Sequence, residues 1–349
     1  MAIDLFSTRT MLDMVREGST TNFTWLRDHF FPTRRTFMTK TVEFDVVGKG
    51  DRKLAPFVNP RFGGKAVDRD GFRTKAYEAP EIAPLMVTTA EDLMNRMPGE
   101  TIYSQRSPMQ RAAEQLALDL ASLDEKISRR EEAMCAEALF SGQVKVKGDG
   151  YDEVIDYWGD LAEGDKPETT LSANQWNASA TTAKQIMADL RALRLKMIQT
   201  GGFTPTEMIM GTDVCNAILD KLLDASVLDT RRVDIGQIDP QMLPQGVTYW
   251  GRLKDCALDL YSYDNWYVDP ETGKDTPMVP ANKALLAASG ARTMVAYGAC
   301  GLIGSDSVQL SPARASPIRG RSEPLLRVAL CSLSAVRSRS SSRSTASTL

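Results

Sequence analysis

Histidine is almost missing from this 349-residue sequence, in which His29 is the only example. Ser–His–Asp and Cys–His catalysis both use a histidine as the base. His29 lies in an aromatic segment close to the N-terminus, so we predict that it packs against its neighbours and does not abstract protons. The sequence therefore argues against the common nucleophilic hydrolases.

Cysteines are few and isolated. Zinc sites and redox pairs usually place their cysteines or histidines close together in the sequence. The five cysteines here stand 31 to 80 residues apart: Cys135, Cys215, Cys256, Cys300 and Cys331. We predict that they are small buried side chains, and an odd number of scattered thiols is typical of a reducing compartment.

Long apolar runs are missing as well. No stretch approaches the ~20 apolar residues that a membrane span needs. The first residues also lack the apolar core of a secretory signal. We therefore expect no membrane association and folding in a cytoplasm.

Known ligand-binding motifs are present only in fragments. Gly63-Gly64-Lys65 resembles the end of a phosphate-binding loop, but Asn59 stands where the first glycine belongs and Ala66 where a serine or threonine would hold magnesium. A calcium loop aligned on Gly71 would need Ala66 as its first ligand, so it fails too. The sequence predicts no catalytic residue, no cofactor and no metal.

Charge is distributed unevenly along the chain, whose net charge is −3. From Ser311 onward there are seven Arg, no Lys and one Glu, a local charge of +6, so residues 1–310 carry −3 − 6 = −9. An acidic body argues against a protein whose main task is to bind nucleic acid, which normally presents a basic face. The acidic residues between positions 149 and 165 are predicted to form a solvated loop.

The N-terminal third reads as an arm followed by an extended segment. Phe23–Pro32 has helix-like apolar spacing that stops at the proline, which predicts a short helix pressing one face onto another element. Alternation begins at Thr41, as in a half-buried strand, and Leu54–Val58 forms a second extended stretch. A two-stranded arm is marginal alone in water, so we expect it to lie on a neighbouring subunit.

The clearest element is a helix predicted over residues 108–140. Ser107 suits the N-cap, Pro108 the first helical position, and Gln110 completes a capping box. Gly142 lies where the helix should end. One face carries an apolar stripe with helical spacing: Met109, Leu116, Leu120, Leu123, Ile127 and Met134. The other face is expected to be solvated and carries Glu114, Asp119, Glu125, Arg129 and Glu132.

The second half predicts an α+β domain. A helix is expected from about Thr182 to Gln199, then a strand at Glu207–Met210 and a further helix capped by Asp213. The stretch from Val247 to Leu286 has the spacing of antiparallel strands.

Three short motifs follow one another along the chain: Trp25–Phe31, Leu228–Arg232 and Ala291–Gly298, with matching context at Val42–Phe44 and in the helix 108–140. Together with the order of the parts described above, they resemble the Hong Kong 97-type phage capsid fold, and more narrowly the major capsid protein E family of lambda-like tailed phages. Each motif is weak alone, and their order over residues 1–310 makes the match fairly specific.

The resemblance implies a domain plan. It comprises an N-terminal arm (1–40), an extended E-loop hairpin (41–103), a peripheral domain with a long spine helix (104–180 and 285–310) and an axial domain (181–284). It implies a structural subunit, not an enzyme, that self-assembles into the pentamers and hexamers of an icosahedral shell around double-stranded DNA. The implied partners are copies of itself, decoration, scaffold or protease and portal proteins, and packaged DNA through non-specific contacts.

Shell subunits associate through many modest contacts. In this reading the E-loop pairs its charges with acidic surface on a neighbour's spine helix. The basic candidates are Arg52, Lys53, Arg61, Lys65, Arg69, Arg73 and Lys75. The acidic candidates are Glu114, Asp119 and Glu125.

The segment 311–349, rich in Ser and Arg, departs from the family pattern. Its composition is typical of a disordered chain, which could contact packaged DNA through phosphates. The alternative is a shift of reading frame between about residues 300 and 320. Two other functions remain open on the sequence: an encapsulin-like compartment shell, and a nucleic-acid-binding protein that acts through this tail.

Overall fold

A computed structural model of the chain describes most of the protein outside the N-terminus, the hairpin tip and parts of the last fifty residues. The described residues are 24–39, 41–47, 54, 57, 72–95, 106–148, 151–159, 166–171, 175–201, 203–222, 228–229, 240–253, 255–288, 293–298, 314–317, 324–327, 330–331, 333–337 and 345–348.

Helices and strands are mixed, which confirms the α+β class. The helices are α1 (Trp25–Phe30), α2 (Ala90–Met94), α3 (Pro108–Phe140), α4 (Ala183–Gly201) and α5 (Thr212–Leu222). The strands of the first part are β1 (Thr33–Thr36), β2 (Thr41–Val47), β3 (Phe72–Glu78), β4 (Glu81–Ile82), β5 (Leu85–Val87), β6 (Gln143–Gly148), β7 (Tyr151–Asp156), β8 (Glu168–Thr170), β9 (Glu207–Met210) and β10 (Leu228–Asp229).

The later strands are β11 (Gln241–Leu243), β12 (Val247–Leu253), β13 (Leu258–Tyr263), β14 (Trp266–Val268), β15 (Asp275–Pro277), β16 (Lys283–Ala287), β17 (Thr293–Tyr297), β18 (Arg314–Pro317), β19 (Pro324–Arg327), β20 (Leu330–Cys331), β21 (Leu333–Arg337) and β22 (Thr345–Thr348). Strand β11 leads into a short 3-10 helix (Pro244–Gly246), and the remaining strands follow it.

Helix α3, called the spine helix below, has the bounds predicted from the sequence. The Ser107 side chain accepts the N–H of Gln110 at 3.3 Å, and the Gln110 side chain accepts the N–H of Ser107 at 3.0 Å. This capping box satisfies two backbone donors that the first turn leaves open. At ~1.5 Å per residue the helix is roughly 50 Å long. Its apolar stripe is buried from Leu116 onward, whereas Met109 is 62% exposed, contrary to the prediction.

The spine helix ends at a glycine that no other residue could replace without strain. Gly142 has φ +66, and a Cβ there would lie 2.0 Å from the ring of Trp158. The left-handed conformation turns the chain into the hairpin β6–β7. Lys283 donates to the last helical carbonyl, that of Phe140, at 3.2 Å.

The largest sheet forms the middle layer of the protein. Its order is β10-β12-β13-β9-β16-β22-β8, with β11 beside β12. Met208 and Met210 belong to one buried cluster, together with side chains of α4 and α5, while Ile209 belongs to the other, with Phe140 and Leu26. Successive strand residues face opposite sides, so this sheet is covered on both faces. The antiparallel reading of residues 247–286 is confirmed, with β9 inserted between β13 and β16.

The extended hairpin is formed by β2 and β3, whose register runs from Thr41↔Glu78 to Val47↔Phe72. Of the second extended stretch, Leu54–Val58, only Leu54 and Phe57 lie among the described residues, and neither is in a strand. The base of the hairpin is anchored, since Val42 is 1% exposed and packs against Ala296.

Two further expectations need correction. Asp213 lies inside α5 and does not cap it, because the first helical carbonyl is that of Gly211, which accepts the N–H of Cys215 at 2.9 Å. A Cβ on Gly211 would lie 2.1 Å from the carbonyl oxygen of Pro280, so the approach of two backbones selects glycine here. Asp152, Glu153 and Asp156 lie on strand β7 and not in a loop, although Asp152 and Glu153 are exposed to solvent as predicted.

The Ser/Arg-rich tail contains five short strands, four of which pair with strands from the rest of the chain. Strand β19 lies between β18 and β5, β20 pairs with β4, β21 with β17, and β22 lies between β16 and β8. The domain boundaries and the two readings of the tail stay predictions.

Candidate assembly surfaces

The arm helix α1 is held by a carboxylate of the spine helix. Glu132 is 0% exposed. Its side chain accepts the backbone N–H of Leu26 at 2.8 Å, that of Arg27 at 3.0 Å and the hydroxyl of Tyr263 at 2.9 Å. The first N–H groups of a helix have no partner within it and favour a negative charge. Glu132 therefore supplies from a distant part of the chain the cap that Thr24 does not provide.

This arrangement corrects the prediction that Glu132 lies on the solvated face. Its neighbour Glu131 is also buried and forms an ion pair with Arg27 at 2.6 Å. Glu131 stands four residues after Ile127 and three before Met134, which are positions of the apolar stripe. An acidic residue on the apolar stripe of a helix is expected to be buried and to have a partner, so the position of Glu131 could have predicted this ion pair from the sequence.

Burial and pairing shift the acid–base properties of this cluster. Burial raises the pKa of Glu132, and the hydrogen bonds from the backbone N–H groups of Arg27 and Leu26 oppose the rise. Burial also raises the pKa of Tyr263 well above its usual range, with the charge of Glu132 adding to the effect. Burial alone would lower the pKa of Arg27, but the carboxylates of Glu131 and Asp28 outweigh it and raise that pKa.

Aromatic contacts complete the docking of the arm helix. The rings of Trp25 and His29 stack with centroids 4.8 Å apart, and Trp25 also contacts Tyr261 and Tyr263 on β13. His29 Nε2 lies 2.6 Å from a carboxylate oxygen of Glu207. The predicted short helix that presses one face onto another element is thus confirmed, and His29 packs there as expected.

Most of the basic candidates fall outside the described residues. These are Arg52, Lys53, Arg61, Lys65 and Arg69. Arg73 and Lys75 lie on β3, where Lys75 is partly exposed. The two described residues of the hairpin tip are almost fully accessible, with Leu54 93% and Phe57 107% exposed.

The acidic candidates on the spine helix already have partners in the same chain. Glu114 pairs with Arg106, and Glu125 pairs with Arg129 one turn away. Asp119 accepts the side-chain amide of Gln115 at 2.7 Å and the hydroxyl of Thr88 at 3.0 Å.

The three thiols that the structure describes are buried. Cys135, Cys215 and Cys256 are buried and free, as predicted for these three. Burial raises the pKa of Cys215 to about 12 and holds the pKa of Cys135 well above its usual value, so neither is a thiolate at neutral pH. Within the ranges listed above, no group of His, Cys, Asp and Glu side chains could hold a metal ion. No helix in those ranges is long and apolar enough to cross a membrane.

Comparison with known proteins identifies the family of this chain. The model of the phage major capsid protein E family matches residues 7–324. The chain belongs to the phage major capsid protein E family. This capsid protein is 22% identical over 275 residues to the major capsid protein of Escherichia phage lambda. The aligned region covers 77% of this chain and 76% of the lambda protein.

Solved structures agree on the fold of this capsid protein. A capsid-type prophage protein from E. coli CFT073 aligns with a TM-score of 0.69 and 17% identity over 100% of this chain and 99% of the other. A phage-related protein from Bordetella bronchiseptica RB50 aligns with a TM-score of 0.50 and 10% identity over 97% and 95%.

The resemblance inferred from the sequence is therefore confirmed. The chain is a major capsid protein of a tailed phage, and its place is the virion capsid. Its family is one of structural subunits. The family match favours this reading over the encapsulin-like and nucleic-acid-binding alternatives.

Proposed function

We propose that copies of this chain assemble into the pentamers and hexamers of an icosahedral shell that encloses double-stranded DNA, in the cytoplasm of the bacterial host. The observation that carries the proposal is the hairpin tip, where Leu54 is 93% and Phe57 is 107% exposed. Leu54 and Phe57 stand three positions apart in the sequence, and apolar surface that is exposed in the single subunit is suited to contact with another chain.

The described strands of the extended hairpin, β2 and β3, form a two-stranded sheet, to which no third strand adds among the residues that the structure describes. At its base Val42 packs against Ala296, and the Tyr77 hydroxyl donates to the carbonyl of Asp156 at 3.2 Å. Two-stranded ribbons are marginal alone, and open strand edges accept a strand from a partner. A neighbouring copy would supply the missing surface.

The contacts of Glu132 with the arm helix and with Tyr263 support the same function from inside the subunit. Glu132 ties the arm helix to the spine helix and, through Tyr263, to the central sheet. Because the arm helix, the spine helix and the central sheet are held together, the surfaces of the subunit keep fixed positions relative to one another. Association through many modest contacts between copies requires such a rigid subunit. We include decoration, scaffold or protease and portal proteins and non-specific contact with packaged DNA as further partners of this shell.

Assembly of the purified chain tests the proposal directly. Light scattering over a concentration series should show a threshold above which large particles form, and electron microscopy should show closed shells. A matched variant, Leu54→Ser with Phe57→Ser, should melt like the parent, because both side chains are exposed, and should form no shells. A chain that stays monomeric at all concentrations would contradict the proposal.

A further inference from the structure

A second hairpin, β14–β15, presents an apolar face to solvent. Trp266 pairs with Pro277 and Val268 pairs with Asp275, so these four residues share one face of the two-stranded sheet. Trp266 is 54% and Val268 is 62% exposed. Tyr267, between them, faces the opposite way and packs against the buried cluster around the end of the spine helix. The face is therefore held rigidly by its inner side while its outer side is uncovered.

The same hairpin is acidic. Residues 264–277 contain four acids and one lysine, a charge of −4 + 1 = −3. Asp264 and Asp275 are exposed and form no ion pair with another described residue. Glu271 lies 3.5 Å from Lys147. An apolar centre with an acidic rim fits a basic segment that carries apolar side chains.

One segment of this chain has that composition. Residues 48–71, at the tip of the extended hairpin, contain six Lys or Arg and three Asp, a charge of +6 − 3 = +3. Leu54 and Phe57 in this segment are the two most exposed large apolar side chains of those described. Because both are almost fully accessible, they do not rest on the β14–β15 hairpin of their own subunit.

We propose that the face formed by Trp266, Val268, Asp275 and Pro277 is the docking site for the hairpin tip, around Leu54 and Phe57, of a second copy of this chain. The inference rests on the proposed self-assembly and names the surface that receives the tip. Trp266 is its anchor, since large aromatic side chains at the centre of an interface carry most of the binding energy. The acidic rim then selects the basic tip and its register.

The competing surface lies around the N-terminal half of the spine helix. Met94, the last residue of α2, is 75% exposed, and Met109, in the first turn of the spine helix, is 62% exposed. However, Glu114 in the same region is paired with Arg106, so a basic tip would have to displace a cation already bound. The β14–β15 face requires no such exchange at Asp264 and Asp275.

Photo-crosslinking in assembled particles tests the site. Phe57 is replaced by p-benzoylphenylalanine in the full chain, and these subunits are co-assembled with 15N-labelled unmodified subunits and irradiated. Trypsin releases Trp266 within the peptide 255–274. The expected result is a crosslink from the unlabelled tip to the labelled peptide 255–274. Crosslinks to the Met94 and Met109 region, or to any other place, would overturn the inference and leave self-assembly standing.

A substitution provides the second measurement. Trp266→Ser should raise the threshold concentration for assembly about tenfold or more while leaving the melting temperature of the subunit unchanged. The matched control is Leu195→Ser, because Leu195 is 57% exposed on helix α4; its threshold should stay at the parent value. An unchanged threshold for Trp266→Ser would overturn the site. Absence of particles from the unmodified chain would overturn self-assembly as well.

Discussion

The carboxylate of Glu132 accepts the backbone N–H of Leu26 at 2.8 Å, although the two residues stand 106 positions apart. This bond joins the N-terminal arm to the spine helix, and the Tyr263 hydroxyl on the same carboxylate extends the connection to the central sheet. Three parts of the fold thus meet at one buried charge, so its removal should affect more than a local contact.

Glu132→Ala should lower the free energy of unfolding by about 3 kcal/mol, since it leaves two backbone donors and a hydroxyl buried without their acceptor. Chemical denaturation of the unassembled subunit measures this change. Glu125→Ala is the control, because Glu125 forms an exposed pair with Arg129 and should change the value by only about 0.5 kcal/mol. Equal effects of the two substitutions would contradict the capping role.

The raised pKa of Glu132 predicts a particular pH dependence. Burial raises this pKa above the ordinary glutamate value of 4.5. On acidification from neutral pH the folded state therefore takes up the proton first, so this group makes the folded state more stable as pH falls towards 4.5. Glu132→Gln removes the titration. The stability of the parent relative to Glu132→Gln should rise as pH falls through this window, and a difference independent of pH would count against the buried charge.

Gly142→Ala should destabilise the subunit by about 2–4 kcal/mol, because it combines a left-handed backbone with an overlap of the new Cβ and the Trp158 ring. Gly148, at the end of β6, has open space around its Cβ position. Gly148→Ala should therefore stay within about 0.5 kcal/mol of the parent. Thermal melts of both variants make the comparison, and similar losses would show that the close approach to Trp158 is not the cause.

Arg69→Glu combined with Arg73→Glu should leave the subunit folded and block shell formation, because reversing two charges on the extended hairpin sets it against acidic surface on a neighbour. Circular dichroism and electron microscopy provide the two measurements. Lys184→Glu, an exposed change on helix α4, is the control and should assemble. Normal particles from the double variant would remove these arginines from the assembly surface.

The reading frame of the tail from Ser311 can be tested on the protein itself. A shifted reading frame predicts that the intact mass of the particle's main subunit differs from the mass of this sequence, with the tryptic peptides before residue 300 unchanged. Mass spectrometry of purified particles decides this. Agreement of the intact mass with the sequence would establish the Ser/Arg-rich segment as genuine.

Local features of the fold could be predicted well because short-range chemistry fixes them. The capping box at Ser107 and Gln110 and the glycine at position 142 set both ends of the spine helix, and their partners are neighbours in sequence. The prediction that Asp213 caps α5 was wrong because Gly211, and not Asp213, precedes the helix, and a glycine is required there by the close approach of the Pro280 backbone. Pro280 is far from Gly211 in the sequence, so the residues around Asp213 do not reveal this requirement.

The sequence alone determined the helix and strand periods, the acidic body, the exposed character of the extended hairpin and the family to which the chain belongs. Only the tertiary structure decided that Glu132 is buried beneath the arm helix, that β9 lies between β13 and β16, and that Trp266 faces outward beside Asp275. The physical reason is that side-chain spacing specifies which face of an element is apolar, whereas the partner of a buried charge or the position of an inserted strand depends on residues that are far apart in the sequence: Leu26 and Glu132 are 106 positions apart, and β9 pairs with strands that lie 52 and at least 74 positions further along the chain.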